Sequence, residues 1–535
     1  MTTAIEVAAP DGHRESFAAH AVRALHEFDP IIATNRAPYE RNAKEGWRRA
    51  AGGVVTAMLS VAEATGAPWI ACARNLAERQ VGHAAAPILV ERQGRMPLSI
   101  RYAPTAPEAY ARHYGVIANP LLWFIQHYLW PLAYEPVIDD TIHEAWDQGY
   151  VPVNQSVAET VAAAAAGSKR RPLVLFQDYH LYLAPRMVRD RIPHVTLQHF
   201  VHIPWPTPQY WTVLPQGIRD AILDGLLAND VIGFQTNRDV RNFLSSCEEL
   251  LGLRVDHRER AVLHRGRVSW IRAYPVSVDV DALHRLASSR EVAAEDASLA
   301  AWRPENLIVR IDRTDPIKNI IRGFLAYEKM LKQHRELQGK VQFWAFLQPS
   351  RQDVAAYTDY LARIRSTASR INAELGRPGW EPIRLEFRES LKRAVAAYKS
   401  FDALLVNSIY DGMNLVSKEG MLLNQRDGVL VLSENAGAHE DLGQHAVTVN
   451  PFDVGATADA LFRALSMPSD ERREKAAAIR QRVSSEDVER WLMCQLEDIR
   501  QLAPRPVHRS QIACPLTSES LNGLGNGNRF VNAES

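Results

Sequence analysis

The sequence predicts an α/β protein with two Rossmann-like, doubly wound domains that face each other across a cleft. Short apolar runs of strand length alternate with amphipathic helical patterns, which is typical of parallel sheets covered by helices. The alternation occurs in two series that are separated near residue 278. Polar side chains follow directly after several predicted strands in both series. Open parallel sheets bind their ligands at such positions, so we expect the site there.

The domain boundaries follow from the same alternation. We expect a first domain over residues 1–278, because the run 274–278 closes the first series, and a second domain over residues 279–482. A helix within 483–503 is expected to pack back on the first domain. Residues 504–535 are rich in Ser, Asn, Gly and Pro with little to bury, which predicts a disordered tail.

Composition excludes several classes of protein. The 535 residues carry 62 Lys and Arg against 62 Asp and Glu, and this balance argues against a nucleic-acid or membrane-surface partner. No stretch is apolar enough for a membrane span or a secretion signal. Four scattered cysteines suggest neither a zinc site nor a disulfide framework, so we expect a cytoplasmic protein. The composition is compatible with a homo-oligomer.

The first series opens with a layout typical of phosphate binding. A helix is predicted over 16–28 and a buried strand over 30–34, followed by Asn35 and Arg36. A polar loop then leads to Gly52 and Gly53, where the next helical pattern begins. A helix N-terminus behind a glycine pair can bind an anion. The alternative is that the glycines only form a turn. The loop carries the cations Lys44, Arg48 and Arg49.

Residues 113–134 are rich in aromatic side chains. Such clusters usually belong to a hydrophobic core. Tyr114 and Trp123 are the members that could instead cover the apolar face of a hexose.

Two buried strands, 173–176 and 194–201, each end in polar residues. Asp178 follows the first strand and His202 the second, so these are the first catalytic candidates. The alternative for His202 is a structural role, with the imidazole bonded to a loop carbonyl. A helix over 215–228 and a strand over 231–234 continue the alternation.

The second series opens with a strand over 306–311 and an exit loop over 312–319. Arg313 and Lys318 lie in this loop, which Pro316 stiffens, so two cations can bind a diphosphate from two sides. The alternative is that both cations are only solvated. A strand over 341–347 leads to a third cation, Arg351. Further strands are predicted over 404–406, 429–432 and 446–449, and a last helix over 486–502.

The stretch 411–419, Asp-Gly-Met-Asn-Leu-Val-Ser-Lys-Glu, follows a buried strand and restarts as a helix. Unpaired N–H groups at such a helix start form a seat for an anion. Asp411 and Glu419 are about two turns apart, so one carboxylate can reach a sugar and the other a second pair of hydroxyl groups. The alternative is an N-capping Asp411 and a solvated Glu419.

Taken together, these motifs resemble the trehalose-6-phosphate synthase family of retaining glycosyltransferases, which have the GT-B fold. The resemblance runs from about residue 31 to residue 502 and rests on motifs that occur in the family's order. They are Asn35-Arg36, Gly52-Gly53, Tyr114 with Trp123, residues 178–181, residues 202–208, Arg313 with Lys318, Ser350-Arg351, residues 411–419 and residues 450–453.

The resemblance implies a role for each candidate. For the donor, Arg313 and Lys318 would bind the diphosphate of a nucleotide sugar, Asp411 the transferred sugar and Glu419 the ribose. The backbone would assist the diphosphate at Gly53, Met413, Asn414, Leu415 and Val416, and would hold the base near residues 385–387. For the acceptor, the implied residues are Arg36, Tyr114, Trp123 and Arg351, with Asp178 and His202 where donor and acceptor meet. No metal and no cofactor is expected.

The implied reaction moves glucose from a nucleoside-diphosphate glucose to glucose 6-phosphate, which gives trehalose 6-phosphate. Pro316 and Asn319 depart from the usual family loop. This loop and residues 202–206 are also similar to validoxylamine phosphate synthase, a pseudo-glycosyltransferase. The alternatives are therefore another phosphorylated acceptor, such as a glycerol phosphate or an amino-cyclitol phosphate, or a non-catalytic sugar-phosphate sensor.

Overall fold

A computed structural model describes residues 14–42, 46–49, 53–82, 87–90, 97–352 and 354–502. The predicted tail, Lys44 and Gly52 lie outside these residues. The strands of the first half are β1 Phe28–Thr34, β2 Tyr39–Asn42, β3 Gly46–Arg49, β4 Trp69–Cys72, β5 Ile88–Val90, β6 Leu98–Ala103, β7 Arg171–Gln177, β8 Thr196–Phe200, β9 Val231–Phe234, β10 Val255–Asp256, β11 Ala261–His264 and β12 Arg267–Ala273. The strands of the second half are β13 Asn306–Arg313, β14 Val341–Gln348, β15 Ile383–Phe387, β16 Ala403–Val406, β17 Val429–Ser433 and β18 Val447–Val449.

The α-helices precede, separate and follow these strands along the chain. They are α1 Arg14–Ala24, α2 Gly53–Thr65, α3 Leu76–Gly82, α4 Pro107–Arg112, α5 Trp123–Gln126, α6 Asp140–Ala145, α7 Val151–Ala165, α8 Ala184–Arg191, α9 Pro208–Trp211, α10 Gln216–Leu226, α11 Asn237–Leu251, α12 Val280–Ala287, α13 Arg290–Ala300, α14 Ile320–Gln333, α15 Ala355–Leu375, α16 Leu391–Ser400, α17 Leu415–Leu423, α18 Ala438–Leu442, α19 Val454–Ser466, α20 Ser469–Ser485 and α21 Val488–Leu502. Among the helices in the described ranges, none is long and apolar enough to cross a membrane.

The sheet of the second half has the strand order β15-β14-β13-β16-β17-β18, and every pair is parallel. This is the order of a Rossmann fold, with the reversal between β13 and β16. The continuous apolar runs of β16 and β17 are buried on both faces because helices cover both sides.

The sheet of the first half has the order β10-β11-β12-β9-β8-β7-β1-β4-β6-β5. Its central strands, from β12 to β6, are parallel and reverse order between β7 and β1, while the strands at both edges pair antiparallel. The two doubly wound sheets confirm the predicted α/β architecture.

Two local expectations were wrong. The first helix ends at Ala24, not at Phe28, because Phe28 already pairs with Arg171 as the first residue of β1. The stretch predicted as a polar loop before the glycine pair contains the antiparallel hairpin β2–β3, in which Tyr39 opposes Arg49.

Helix α21, the last helix of the described residues, packs against the first sheet although it follows the whole second half in the sequence. Trp491, Leu492 and Leu496 are buried in one core with residues of β1 and β8, and Gln198 bonds Gln495 across 2.9 Å. The N–H of Val488 donates to the carbonyl of Val278 at 3.1 Å, so the two stretches that connect the halves lie side by side.

A further contact between the halves involves Glu440. Its carboxylate accepts the N–H groups of Asn237 and Arg238 at 2.9 and 3.1 Å, at the start of α11. A carboxylate at a helix N-terminus satisfies unpaired N–H groups and compensates the helix dipole, so this contact stabilises the approach of the two halves.

Candidate functional site

The strand order reverses at one point in each sheet, and four of the predicted site residues lie at these points. Asp178 follows β7 and Arg36 follows β1, while Arg313 ends β13 and Asp411 comes after β16. The polar ends of the two sheets contribute to one cavity of about 630 Å³. We call it the inter-sheet cavity.

The inter-sheet cavity brings together predicted residues from both halves. The first half contributes Arg36, Tyr114, Trp123, Asp178 and His202. The second half contributes Arg313, Lys318, Arg351 and Asp411.

A second cavity, also of about 630 Å³, lies beside the first. We call it the apolar cavity because Leu283, Leu286, Phe346 and Leu391 are among its lining side chains. Three predicted residues, Leu415, Val416 and Glu419, line it as well. Arg313 and Gln348 line both cavities, so the two spaces meet where β13 and β14 end.

Lys318 and Asp411 form an ion pair in the inter-sheet cavity. Lys318 Nζ lies 2.5 Å from Asp411 Oδ2, and both side chains are 12% exposed. Ser408 Oγ and Asn414 Nδ2 donate to the same oxygen at 3.1 and 3.0 Å. Burial alone would raise the pKa of Asp411, but the Lys318 ammonium outweighs it and the pKa lies below its usual value.

The turn that follows Asp411 contacts the first half directly. A Cβ on Gly412 would lie 2.1 Å from the carbonyl oxygen of His202, so only glycine allows this approach. Asn414 adopts φ +76°, and α17 begins at the next residue. Met413 is buried and its carbonyl accepts the Ala438 N–H at 2.8 Å. The turn and the start of α17 are therefore held by contacts from both halves.

Glu419 lies one turn further along α17 and faces the apolar cavity. The hydroxyl of Tyr398 donates to Glu419 Oε2 at 2.9 Å. Burial raises the pKa of Glu419 to about 7, although this hydrogen bond acts in the opposite direction.

Asp178 adopts φ +69°, and its backbone N–H donates to the carbonyl of Phe200 at 2.7 Å. Its Oδ1 accepts the backbone N–H of His202 at 3.2 Å. Burial raises the pKa of Asp178 to about 7, although this N–H and the charge of Arg351 lower it. A residue held in the left-handed region next to a cavity indicates a position that the surrounding fold has fixed.

His202 has both ring nitrogens in hydrogen bonds. Gln235 Oε1 accepts the Val276 N–H at 2.9 Å, so its Nε2 donates to His202 Nδ1 at 3.4 Å. His202 Nε2 therefore carries the proton and donates to Gln177 Oε1 at 2.8 Å. Burial lowers the pKa of His202 to about 3, so the imidazole is neutral at pH 7.

Arg36 and Tyr114 line the same cavity from the first half. Arg36 donates through Nε to Glu40 Oε1 at 2.9 Å, and its side chain is 44% exposed. Tyr114 stacks on the ring of His180, with centroids 6.0 Å apart. Glu40 therefore orients Arg36, and His180 orients Tyr114, at the wall of the cavity.

Trp123 belongs to the first half and contacts cations of the second. Arg351 Cζ lies 4.0 Å from the centroid of its ring, and Arg313 Cζ lies 5.8 Å from it. Cation–π contacts of this kind hold both guanidinium groups beside the inter-sheet cavity.

Gly53 is the first residue of α2. In the described part of the chain, no group of three or more His, Cys, Asp or Glu side chains is arranged so that it could hold a metal ion.

Several lining residues were not identified from the sequence. His127 lies one helical turn after Trp123, and its Nδ1 donates to the Trp123 carbonyl at 2.8 Å. Gln348 lies at the end of β14 and lines both cavities. Asp315, two residues after Arg313, lines neither cavity, but its buried Oδ2 lies 3.5 Å from Arg351 Nη1. The sequence signal for His127 was its i, i+4 spacing from Trp123. The signal for Gln348 and Asp315 was their position within three residues of Arg351 and Arg313, respectively.

Comparison with known proteins gives the family. A bifunctional trehalose-6-phosphate synthase/phosphatase of Thermoproteus tenax is 34% identical over 86% of this chain, which spans 62% of that relative. A validamine 7-phosphate valienyltransferase of Streptomyces hygroscopicus subsp. jinggangensis is 30% identical over 88% of this chain and 94% of its own length. The solved structure "Trehalose-6-phosphate from E. coli bound with UDP-2-fluoro glucose" is 27% identical, has a TM-score of 0.77, and is matched over 89% of this chain and 100% of its own.

This structural likeness confirms the predicted GT-B fold, and the relatives confirm an enzyme of the glycosyltransferase type. The profile of glycosyltransferase family 20 matches residues 27–501. With that match covering most of its length, the chain belongs to glycosyltransferase family 20.

Proposed function

We propose that this enzyme transfers glucose from a nucleoside-diphosphate glucose to glucose 6-phosphate, with retention of the anomeric configuration, and forms trehalose 6-phosphate. The observation that carries the proposal is the position of Arg313. Its side chain lines both the inter-sheet cavity and the apolar cavity, at their junction. A diphosphate at this junction would have its nucleoside on one side and its sugar on the other.

The apolar cavity suits the nucleoside. Its apolar side chains can cover a base, and Glu419 lies deeper along α17 at a position that can accept ribose hydroxyl groups. Arg313, Lys318 and the N-terminus of α17 would bind the diphosphate, with backbone support from Gly53 and residues 413–416. We assign the donor function to residues 279–482 and the acceptor function to residues 1–278.

The inter-sheet cavity suits the transferred sugar and the acceptor. Asp411 would accept hydroxyl groups of the transferred glucose, while Arg36 and Arg351 would bind the acceptor phosphate. Tyr114 and Trp123 would pack against the acceptor sugar, with Asp178 and His202 near the reacting atoms. The name of the E. coli relative's ligand, UDP-2-fluoro glucose, supports a glucosyl donor.

The proposed step breaks the bond between the donor C1 and the diphosphate oxygen, and forms a bond from C1 to the acceptor hydroxyl oxygen on the same face. The acceptor proton passes to the leaving diphosphate oxygen. Arg313 and Lys318 favour this step because they stabilise the negative charge that develops on the diphosphate. His202 helps to position the reacting groups and does not act as a base, since both of its ring nitrogens are already in hydrogen bonds.

A second candidate acceptor is an amino-cyclitol phosphate. The 30% identity to the valienyltransferase favours it, as does the resemblance of residues 313–319 to that branch. An amine would then replace the attacking hydroxyl group, and a nucleotide-activated cyclitol would replace the donor.

The test is to incubate the full chain with glucose 6-phosphate and, in turn, UDP-, GDP- and ADP-glucose, and to measure release of nucleoside diphosphate. We expect release with at least one donor, and a product whose NMR coupling constants give α,α linkage. Release only with an amino-cyclitol phosphate and an activated cyclitol would support the second candidate. Substrate binding without release in any combination would contradict both.

A further inference from the structure

We propose that Asp315 and Tyr357 are positioning residues that fix the guanidinium group of Arg351 for the phosphate of the acceptor. This inference rests on the proposed function, because it takes Arg351 as a phosphate ligand. It adds two side chains that are buried behind Arg351 and that do not themselves line either cavity.

Asp315 provides a buried negative charge behind two cations. Its side chain is 0% exposed, and Oδ2 lies 3.5 Å from Arg351 Nη1 and 3.9 Å from Arg313 Nη2. Its Oδ1 accepts the N–H of Ile317 at 3.2 Å, which fixes the carboxylate in the turn after β13. A buried carboxylate is stable only with cationic or hydrogen-bonding partners, so Asp315 and the two arginines restrain one another.

Tyr357, at the start of α15, connects Asp315 to Arg351. Its hydroxyl donates to Asp315 Oδ2 at 3.1 Å and accepts from Arg351 Nη1. The ring is buried in the core of the first half, so the hydroxyl has a fixed position. The Nη1 end of Arg351 is therefore held by two groups that are themselves immobilised.

The remaining contacts of Arg351 leave one edge available. The Trp123 ring covers one face of the guanidinium at 4.0 Å, and Arg351 Nη2 donates to the hydroxyl of Tyr179 at 3.4 Å. Within the described residues, Arg351 Nε has no hydrogen-bond acceptor. Nε and Nη2 form the edge that can donate two parallel hydrogen bonds to a phosphate. Because Arg351 lines the inter-sheet cavity, this edge is the one that an acceptor phosphate can reach.

The physical consequence concerns selection of a phosphorylated acceptor. An arginine that is already fixed loses little conformational freedom when a phosphate binds, whereas a mobile one loses more. Removing the Tyr357 hydroxyl should therefore reduce the preference for glucose 6-phosphate over glucose and change the KM for the donor much less. Neutralising Asp315 should reduce the same preference and also raise the KM for the donor, because Asp315 lies 3.9 Å from Arg313 Nη2.

The experiment compares Tyr357→Phe and Asp315→Asn with the wild-type chain. For each protein, kcat/KM is measured with glucose 6-phosphate and with glucose at saturating donor. We expect the ratio of the two values to fall about tenfold in Tyr357→Phe, the loss typical of one charge-assisted hydrogen bond, and further in Asp315→Asn. The matched control is Tyr327→Phe, because its hydroxyl donates to the Val341 carbonyl in the core of the second half and does not line either cavity.

Two outcomes decide the proposal. An unchanged ratio in folded Tyr357→Phe, or an equal fall in Tyr327→Phe, would overturn it. If the wild type uses another phosphorylated acceptor, the ratio is measured with that acceptor and its dephosphorylated form. The trehalose assignment then fails while the roles of Asp315 and Tyr357 are still tested.

Discussion

Lys318 Nζ lies 2.5 Å from Asp411 Oδ2, and this ion pair joins the turn after β13 to the turn after β16. Both residues stand at the reversal point of the second sheet, so the pair fixes the two turns that would surround a diphosphate. Removing one partner would leave a buried charge without its counter-charge, which is much more costly than removing both.

We therefore expect Lys318→Met to lose about 3 kcal/mol of unfolding free energy at pH 7. The double variant Lys318→Met with Asp411→Asn should recover part of this loss, because no carboxylate is then left unpaired. The Asp411 pKa is lowered in the wild type, so the contribution of the pair is present above the unfolded value of 3.8 and is lost as the pH falls through the folded pKa. Urea unfolding of the three proteins checks this, and equal stability of the single and double variants would contradict it.

Arg313→Ala should lower kcat/KM for the proposed reaction by roughly 10- to 150-fold, because a charge-assisted hydrogen bond to the diphosphate is lost. Since the Arg313 side chain is 43% exposed and Asp315 keeps its contacts with Arg351 and Tyr357, the unfolding midpoint should change little. Arg473→Ala is the control, because Arg473 pairs with Asp470 on an exposed helix surface. Turnover equal to the wild type in Arg313→Ala would refute the diphosphate role.

The raised pKa of Glu419 predicts a specific pH dependence of stability. Its folded value is about 7 against a reference of 4.5, so between these values the folded chain holds a proton that the unfolded chain has released. The unfolding free energy of the wild type therefore falls as the pH rises through this window.

Glu419→Gln lacks this titration. Its free energy of unfolding relative to that of the wild type should therefore rise by up to about 3 kcal/mol between pH 4.5 and pH 8. The measurement is urea unfolding of both proteins at several pH values. Taking the difference between them removes the contribution of Asp178, which has the same sign. A difference that does not change with pH would show that Glu419 is ionised throughout.

Gly412→Ala should reduce kcat/KM about 100-fold, because the new Cβ would push the turn after Asp411 away from the His202 carbonyl. The control is Gly217→Ala in α10, where no atom outside the neighbouring helix backbone lies within 4 Å of the added Cβ. That change should leave turnover intact and raise stability by about 0.5 kcal/mol, since alanine favours a helix more than glycine does. Similar turnover in both variants would argue against the close approach of the halves.

The sequence was sufficient to predict the central strands and the family. Runs such as those of β7 and β16 are buried on both faces, so their continuous apolar character shows in the sequence. The hairpin β2–β3 was not predicted because Glu40, Arg41 and Arg48 give it no apolar alternation. Its structure depends on pairing, which a search for apolar runs does not detect.

Side-chain environments were harder to predict from the sequence than the positions of strands. His202 was identified from its place after a strand, but the position of its proton on Nε2 depends on Gln177 and Gln235, which belong to other strand ends. In the same way, Tyr357 lies beside Asp315 because the first turn of α15 lies next to the turn that follows β13. Such relationships arise from tertiary packing between distant segments, so the residues alone gave no signal for them.

The position of α21 has a consequence for biosynthesis. The apolar face that Trp491 and Leu496 cover on the first half belongs to segments that leave the ribosome long before α21 does. A nascent chain must therefore carry that face uncovered while the whole second half is being made. The first half reaches its final form only after translation of α21, and it is exposed to chaperones and to aggregation until then.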